Sequence, residues 1–255
     1  MKHIYLSPHL DDAVLSCGGA IHRYAVAGEP VQIITIFSGD APPEDALSPF
    51  ARSMHRLWGN PPAPVSLRRA EDAVALAWLK ATGDYLPWPD AIYRTAPDGT
   101  WLYEREEALW AAPHPADPLA QEGGRVLADQ LTARIPRAEN VQIYAPLAIG
   151  NHVDHQIVHM AALRLRERGY PLAFYEDFPY AEDRQAVRLR LAEGTWQALL
   201  IFLGTVDVIA KITAIGSYRS QMRVLFGGIE AMPNRVWAFA LARGKGQGLA
   251  ERVWR

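Results

Sequence analysis

The chain has 255 residues, 49% of them hydrophobic and 21% charged, with a formal net charge of -2. Length and balance suit one large α/β domain or two small ones, of ordinary globular composition. No basic surface argues for nucleic acid, no apolar run reaches membrane-spanning length, and the single cysteine, Cys17, excludes an internal disulfide and a cysteine-built zinc cage.

Residues 3–7 (His-Ile-Tyr-Leu-Ser) read as a short buried strand that runs into Pro8-His9-Leu10-Asp11-Asp12. Residues 12–27 read as a helix. Ala13, Leu15, Cys17, Ala20, Ile21 and Tyr24 give it an apolar stripe, and Gly28 closes it. A second buried strand is expected over 31–37. Residues 41–66 form a long Pro-rich loop carrying Phe50, Met54 and Trp58, and loops of that length are usually functional. Ser66 is expected to cap a helix over 67–81, followed by a third strand over 84–87. Residues 87–118 read as irregular, with a turn at Asp98-Gly99. A helix follows over 123–135 and a fourth strand over 140–147. Asn151 is expected to cap a helix over 153–168, closed by Gly169. A fifth strand covers 171–177, helices cover 196–215 and 217–225, and a last strand covers 236–241. No repeat, low-complexity segment or domain boundary stands out, so one domain over 1–255 is expected. Strands separated by helices indicate a three-layer, Rossmann-like α/β fold, with a mostly parallel sheet covered on both faces.

The chemistry sits in two clusters. His9, Asp11 and Asp12 follow the first strand; His152, Asp154 and His155 follow the fourth. Carboxylates are rarely buried unless paired or metal-bound, and two polar clusters at two strand ends can meet over one sheet edge. His9, Asp12 and His155 offer two nitrogens and one oxygen, the donor types of a catalytic zinc site with an open position. Asp11 is then left over to take the proton of an attacking water. His152 lies one helical turn before His155 and can face the substrate, with Asp154 bonding its ring. Each residue also has a plainer reading, since caps and first-turn carboxylates suit a helix N-terminus without any metal. The coincidence of both clusters at strand ends favours the metal. His159 is a competing ligand, but no glutamate of the metalloprotease type stands between it and His155, so packing is its expected role. Cys17, in mid-helix, is expected to be core.

Pro8-His9-Leu10-Asp11-Asp12, Gly18-Gly19 and the downstream His152-Val153-Asp154-His155 together resemble the PIG-L/LmbE-like family of zinc-dependent N-deacetylases. The likeness extends to Arg68-Arg69-Ala70-Glu71, to Tyr218-Arg219-Ser220-Gln221 after Lys211, and to Ala250-Glu251-Arg252-Val253. It implies a zinc-dependent hydrolase that removes an N-acetyl group from an amino sugar or an N-acetylglucosamine conjugate. His9, Asp12 and His155 match the family's zinc ligands, Asp11 its general base, and His152 the residue that stabilises the oxyanion or protonates the amine. Ala13 stands where the family often has an acidic residue, and Val153 where many members have proline.

Other classes remain. A nucleotide-binding oxidoreductase would need Gly-x-Gly-x-x-Gly after the first strand, where Pro-His-Leu-Asp-Asp stands. A member acting on a non-sugar amide, or an idle binding protein, would keep the same motifs. Residues 41–66 and 85–103, rich in aromatics, are expected to wall the substrate pocket. The N-terminal residues lack the pattern of a secretory leader, so a cytoplasmic protein without an integral membrane segment is expected. Its partner is expected to be a small N-acetyl sugar or conjugate, and the oligomeric state, a homo-oligomer included, stays open.

Overall fold

The computed structural model describes residues 1–137 and 140–255. Seven strands form one sheet: β1 (Lys2–Ser7), β2 (Val31–Thr35), β3 (Thr82–Tyr85), β4 (Val141–Pro146), β5 (Leu172–Tyr175), β6 (Ala198–Leu203) and β7 (Leu249–Trp254). Their order is β3-β2-β1-β4-β5-β7-β6, and only β7 runs against its neighbours. Ten helices accompany them among the described residues: α1 (Asp12–Val26), α2 (Pro49–Leu57), α3 (Pro64–Leu79), α4 (Glu106–Leu109), α5 (Arg125–Arg134), α6 (Val153–Glu167), α7 (Arg184–Leu191), α8 (Thr205–Ile215), α9 (Met222–Phe226) and α10 (Met232–Gly244).

From β1 the chain steps outward to β2 and β3, and from β4 it steps the other way to β5. Right-handed crossovers in opposite directions place their helices on opposite faces. Accordingly α1, α3 and α8 pack on one another, and α5 packs on α6. The central strands carry apolar residues on both faces because both faces are covered: Ile4, Tyr5, Leu6, Ile143 and Ala145 are buried. The Rossmann-like expectation holds, and β1 and β4 lie side by side at the reversal of strand order, where such sheets open a crevice.

Above that edge lies a second, smaller apolar cluster. Leu10 and Val153, from the two motif corners, pack with Leu47, Ala51, Trp58, Ile92, Tyr103 and Leu109. It ties residues 41–66 and 91–109 down over the two corners. The 41–66 segment is therefore not a plain loop. Ser48 caps α2 by accepting the Ala51 N–H at 2.9 Å, with Pro49 at the first helical position.

Three further expectations fail, and one strand goes unread. Residues 198–203 form a strand, not helix, because a short apolar run carries no decisive period and Gly204 interrupts it. Residues 236–241 lie inside α10, where Pro233 starts a helix rich in Ala. The missed strand is β7, disguised by Glu251 and Arg252 in its middle. Helix α3 starts at Pro64, so Ser66 lies inside it and caps nothing.

Those two charges have different uses. Glu251 accepts the N–H groups of Gly19 and Ala20 at 3.1 and 2.8 Å and pairs with Lys211 at 2.7 Å. Lys211 and Glu251 are each 2% exposed. The backbone of α1 comes so close that a Cβ on Gly19 would meet Leu203 Cδ1 at 2.6 Å. We expect Glu251→Ala to cost about 3–5 kcal/mol, because it strands a buried ammonium. In denaturant unfolding, the double variant Glu251→Leu with Lys211→Met should recover much of that loss, and equal losses in both would refute this account.

Candidate metal centre

The two motif corners meet. After β1, the Ser7 hydroxyl donates to the His9 carbonyl at 2.7 Å and accepts the Ala13 N–H at 3.0 Å, which fixes a tight corner. Asp12 opens α1, and its Oδ2 accepts the His9 N–H at 2.7 Å. The same oxygen lies 3.2 Å from His9 Nδ1 and 3.3 Å from His155 Nε2. One carboxylate oxygen thus faces one nitrogen from each imidazole.

Each ring is held from behind. His155 Nδ1 donates to Asp177 Oδ1 at 2.7 Å, and Asp177 Oδ2 accepts the Ile149 N–H at 2.9 Å. His9 Nε2 donates to Asp154 Oδ2 at 2.9 Å, an oxygen that also accepts the Ala91 N–H at 3.0 Å. Carboxylates can only accept here, so in the neutral tautomers the inner nitrogens carry the lone pairs. Burial alone would lower the His155 pKa, yet Asp12 and Asp177 push it up to about 10. His9 is raised in the same way, against burial, by Asp90, Asp12 and Asp154. The surrounding carboxylates favour positive charge at this point, whether carried by ring protons or by a divalent ion. Two ring nitrogens that each face one carboxylate oxygen are donor types of a catalytic zinc site, and His9, His152 and His155 also bring one nitrogen each within 4.8 Å of one another, so the residues present fit that metal.

His152 completes the group. Its ring lies edge-on to His9 with centroids 5.0 Å apart, and 5.5 Å from His155. It is itself the cap of α6, since its Nδ1 accepts the Asp154 N–H at 3.2 Å. Two expectations are corrected here. Asn151 does not cap α6; it sits in the left-handed region at φ 61, beside Gly150 at φ 89, whose missing Cβ leaves room for Tyr180. The Asp154 carboxylate does not bond the His152 ring; its backbone amide does, and its carboxylate turns to His9. Its other oxygen lies 2.5 Å from Arg94, which also lies 2.9 Å from Asp117, both contacts too far off line for hydrogen bonds. Burial, then His9, holds the His152 pKa well below the usual histidine range. The ring is neutral, with its proton on Nε2.

Asp11 is buried beside the cluster and 3.6 Å from the Arg68 guanidinium. Burial raises its pKa to about 6, with Arg68 pulling the other way. Arg68 lies over the Trp58 ring at 5.2 Å and 4.0 Å from Asp90, which is 3.7 Å from His9. Asp90, Arg94 and Asp177 were not read from the sequence. Asp177 lies just beyond β5, and Asp90 and Arg94 lie in the segment that follows β3, so position after a strand of the edge that carries both motifs was the available signal. The aromatic-wall expectation splits. Trp58 reaches the site through Arg68, whereas Trp88 donates to Gln130 on α5 at 2.6 Å. Residues 40–66 line a separate cavity of about 530 Å³. His159 donates to the Pro146 carbonyl at 2.9 Å and stays outside the cluster. Cys17 is buried in the main core.

The sequence profile described as PIG-L, GlcNAc-PI de-N-acetylase, matches residues 4–165. The chain is 28% identical over 237 residues to 2'-N-acetylparomamine deacetylase of Niallia circulans, covering 88% of this chain and 82% of that one. It is 31% identical over 234 residues to the enzyme of the same name from Streptomyces fradiae, covering 86% and 73%. Among solved structures, the zinc-inhibited form of teicoplanin deacetylase Orf2 superposes with a TM-score of 0.84 at 30% identity, covering 100% of this chain and 97% of that one. The strand-edge geometry and these likenesses agree, and the chain belongs to the PIG-L family of de-N-acetylases.

Proposed function

We propose that this chain hydrolyses the N-acetyl group of an amino sugar carried in a larger conjugate, with zinc held by His9, Asp12 and His155. N-deacetylation is the activity of its family. The observation that carries the ligand assignment is the paired arrangement of the two rings. Each has its outer nitrogen tied to a buried carboxylate and its inner nitrogen turned to Asp12 Oδ2. The relatives named above act on N-acetylparomamine and teicoplanin, both sugar conjugates, which supports the substrate class.

When bound, zinc supplies a Lewis acid that acidifies water and polarises the acetamide carbonyl. Asp11 takes the proton of the attacking water, and a carboxyl whose pKa lies near 6 is matched to that task close to neutrality. His152, with Nδ1 occupied by the Asp154 amide, can only offer its Nε2–H, a fixed donor for the oxygen that gains charge. The C–N bond then breaks, the proton on Asp11 passes to the leaving amine, and acetate departs. Arg68 Nε and Trp58 Nε1 are buried without a hydrogen-bond partner among the described residues. Both atoms are closed off from solvent, so the groups that can meet a sugar hydroxyl here are the partly exposed Arg68 guanidinium and the Asp90 carboxylate beside it.

His9→Ala should lose most bound zinc by elemental analysis, and full occupancy would refute the ligand set. Asp154→Asn and Asp177→Asn should each weaken zinc binding by about 10–100-fold, since each frees the ring it holds. Asp11→Asn should keep zinc and lose at least about 10²-fold in kcat. His152→Ala should also keep zinc and lower kcat by about 10²–10³-fold with little change in KM. Near-normal turnover of either variant on a confirmed substrate overturns its role.

A further inference from the structure

A cavity of about 390 Å³ lies between α7 and the place where α10 hands over to β7, and no residue of the metal centre lines it. That volume falls within the range of about 300–1,000 Å³ typical of small-molecule sites. Five cationic side chains converge on it: Arg184 and Arg188 from α7, Arg243 and Lys245 from the end of α10, and Arg252 from β7. No carboxylate among the described residues lines it.

The charge behind these cations falls short. Buried Glu176 accepts from Arg243 Nε and, at 2.7 Å, from Arg252 Nε, and Trp254 Nε1 donates to it at 3.0 Å. Both of its oxygens are therefore taken, and one negative charge serves two guanidiniums. Arg184, Arg188 and Lys245 form no ion pair among the described residues, in contrast to Arg243 and Arg252. Arg184 and Arg188 stand four residues apart on one helix, a spacing at which like charges repel. Arg243 is 7% exposed, so water screens it poorly. Burial pulls its pKa down, Glu176 opposes the fall, and Arg252 and Arg184 add to it.

A lone surface cation is satisfied by water. Here charges from three elements face one recess and one of them is buried, an arrangement that an anion in the recess relieves. The donors are mostly guanidiniums, whose forked edges match the oxygens of a phosphate. A phosphate presents oxygens in several directions and so meets α7 and β7 together, whereas a carboxylate takes its donors near one plane. Arg252 lies over the Trp254 ring at 4.8 Å, which holds its guanidinium in place before any ligand arrives. We propose that this cavity binds the phosphate groups of a small soluble phosphorylated molecule, separate from the acetylated substrate.

The test is calorimetric titration of the full chain with inorganic pyrophosphate, beside sodium acetate at the same ionic strength. Pyrophosphate should saturate one site per chain and bind at least about tenfold more tightly than acetate. Its affinity should fall as salt rises, because most of the cations are exposed. Arg184→Gln and Arg188→Gln change exposed side chains, so each should melt like wild type and raise the pyrophosphate Kd about tenfold. Pyrophosphate should also raise the melting temperature of wild type and not that of the double variant. Zinc-stripped chain should bind it as the loaded chain does. Binding that vanishes with the zinc and survives both arginine variants would place the pyrophosphate on the metal and overturn the proposal. Equal, weak binding of pyrophosphate and acetate, unchanged by the variants, would also overturn it. So would failure of pyrophosphate to bind while the chain sediments with phosphatidylcholine vesicles carrying phosphatidic acid, because the face would then belong to a lipid surface.

Discussion

The structure turns on one carboxylate oxygen. Asp12 Oδ2 fixes the corner after β1 through the His9 amide and also faces an imidazole nitrogen from each of two strand ends. A buried carboxylate in that position needs positive charge beside it, and so do Asp154 and Asp177 behind the two rings. Burial would raise the Asp12 pKa, yet His155 and His9 hold it well below the usual carboxylate range. The corner, the ring orientations and the charge balance are one constraint expressed three ways.

That constraint explains the architecture around it. The ring of His155 is set by Asp177 just after β5, and the ring of His9 by Asp154 at the start of α6. Asp154 is anchored in turn by Ala91 and Arg94, which follow β3. Four strand ends therefore converge on one focus, which a parallel sheet allows because all its carboxyl ends lie on one edge. Leu10 and Val153 share an apolar cluster with the covering segments. The same two corners that carry the chemistry thus hold the roof in place.

Much of this was legible in the residues. The alternation of strand and helix, the two polar corners and the separation of Asp11 from Asp12 follow from pattern and chemistry alone. What escaped had physical causes. Residues 198–203 lack a period because six consecutive positions are apolar, and β7 hides behind Glu251 and Arg252, which are paired in the fold but read as surface in the sequence. The supports Asp90, Arg94 and Asp177 carry no motif of their own. Their importance comes from long-range geometry, and a contact such as His155 with Asp177 leaves no periodic trace. Asp154 was noticed, but its backbone and side chain have separate partners, which spacing along a helix cannot reveal.

The Glu251 contact bears on how the molecule is made. Gly19, whose amide Glu251 accepts, lies in the helix that begins at Asp12, and the two residues are 232 positions apart. During synthesis, α1 and then Lys211 leave the ribosome well before the carboxylate that neutralises that lysine. Without it, close packing of α8 on α1 would bury an unmatched ammonium, so the final seating of the helix that presents the metal corner depends on β7. The corner that bears the motif is thus braced by residues near both ends of the chain, and its geometry is a property of nearly the whole chain rather than of the motif segment.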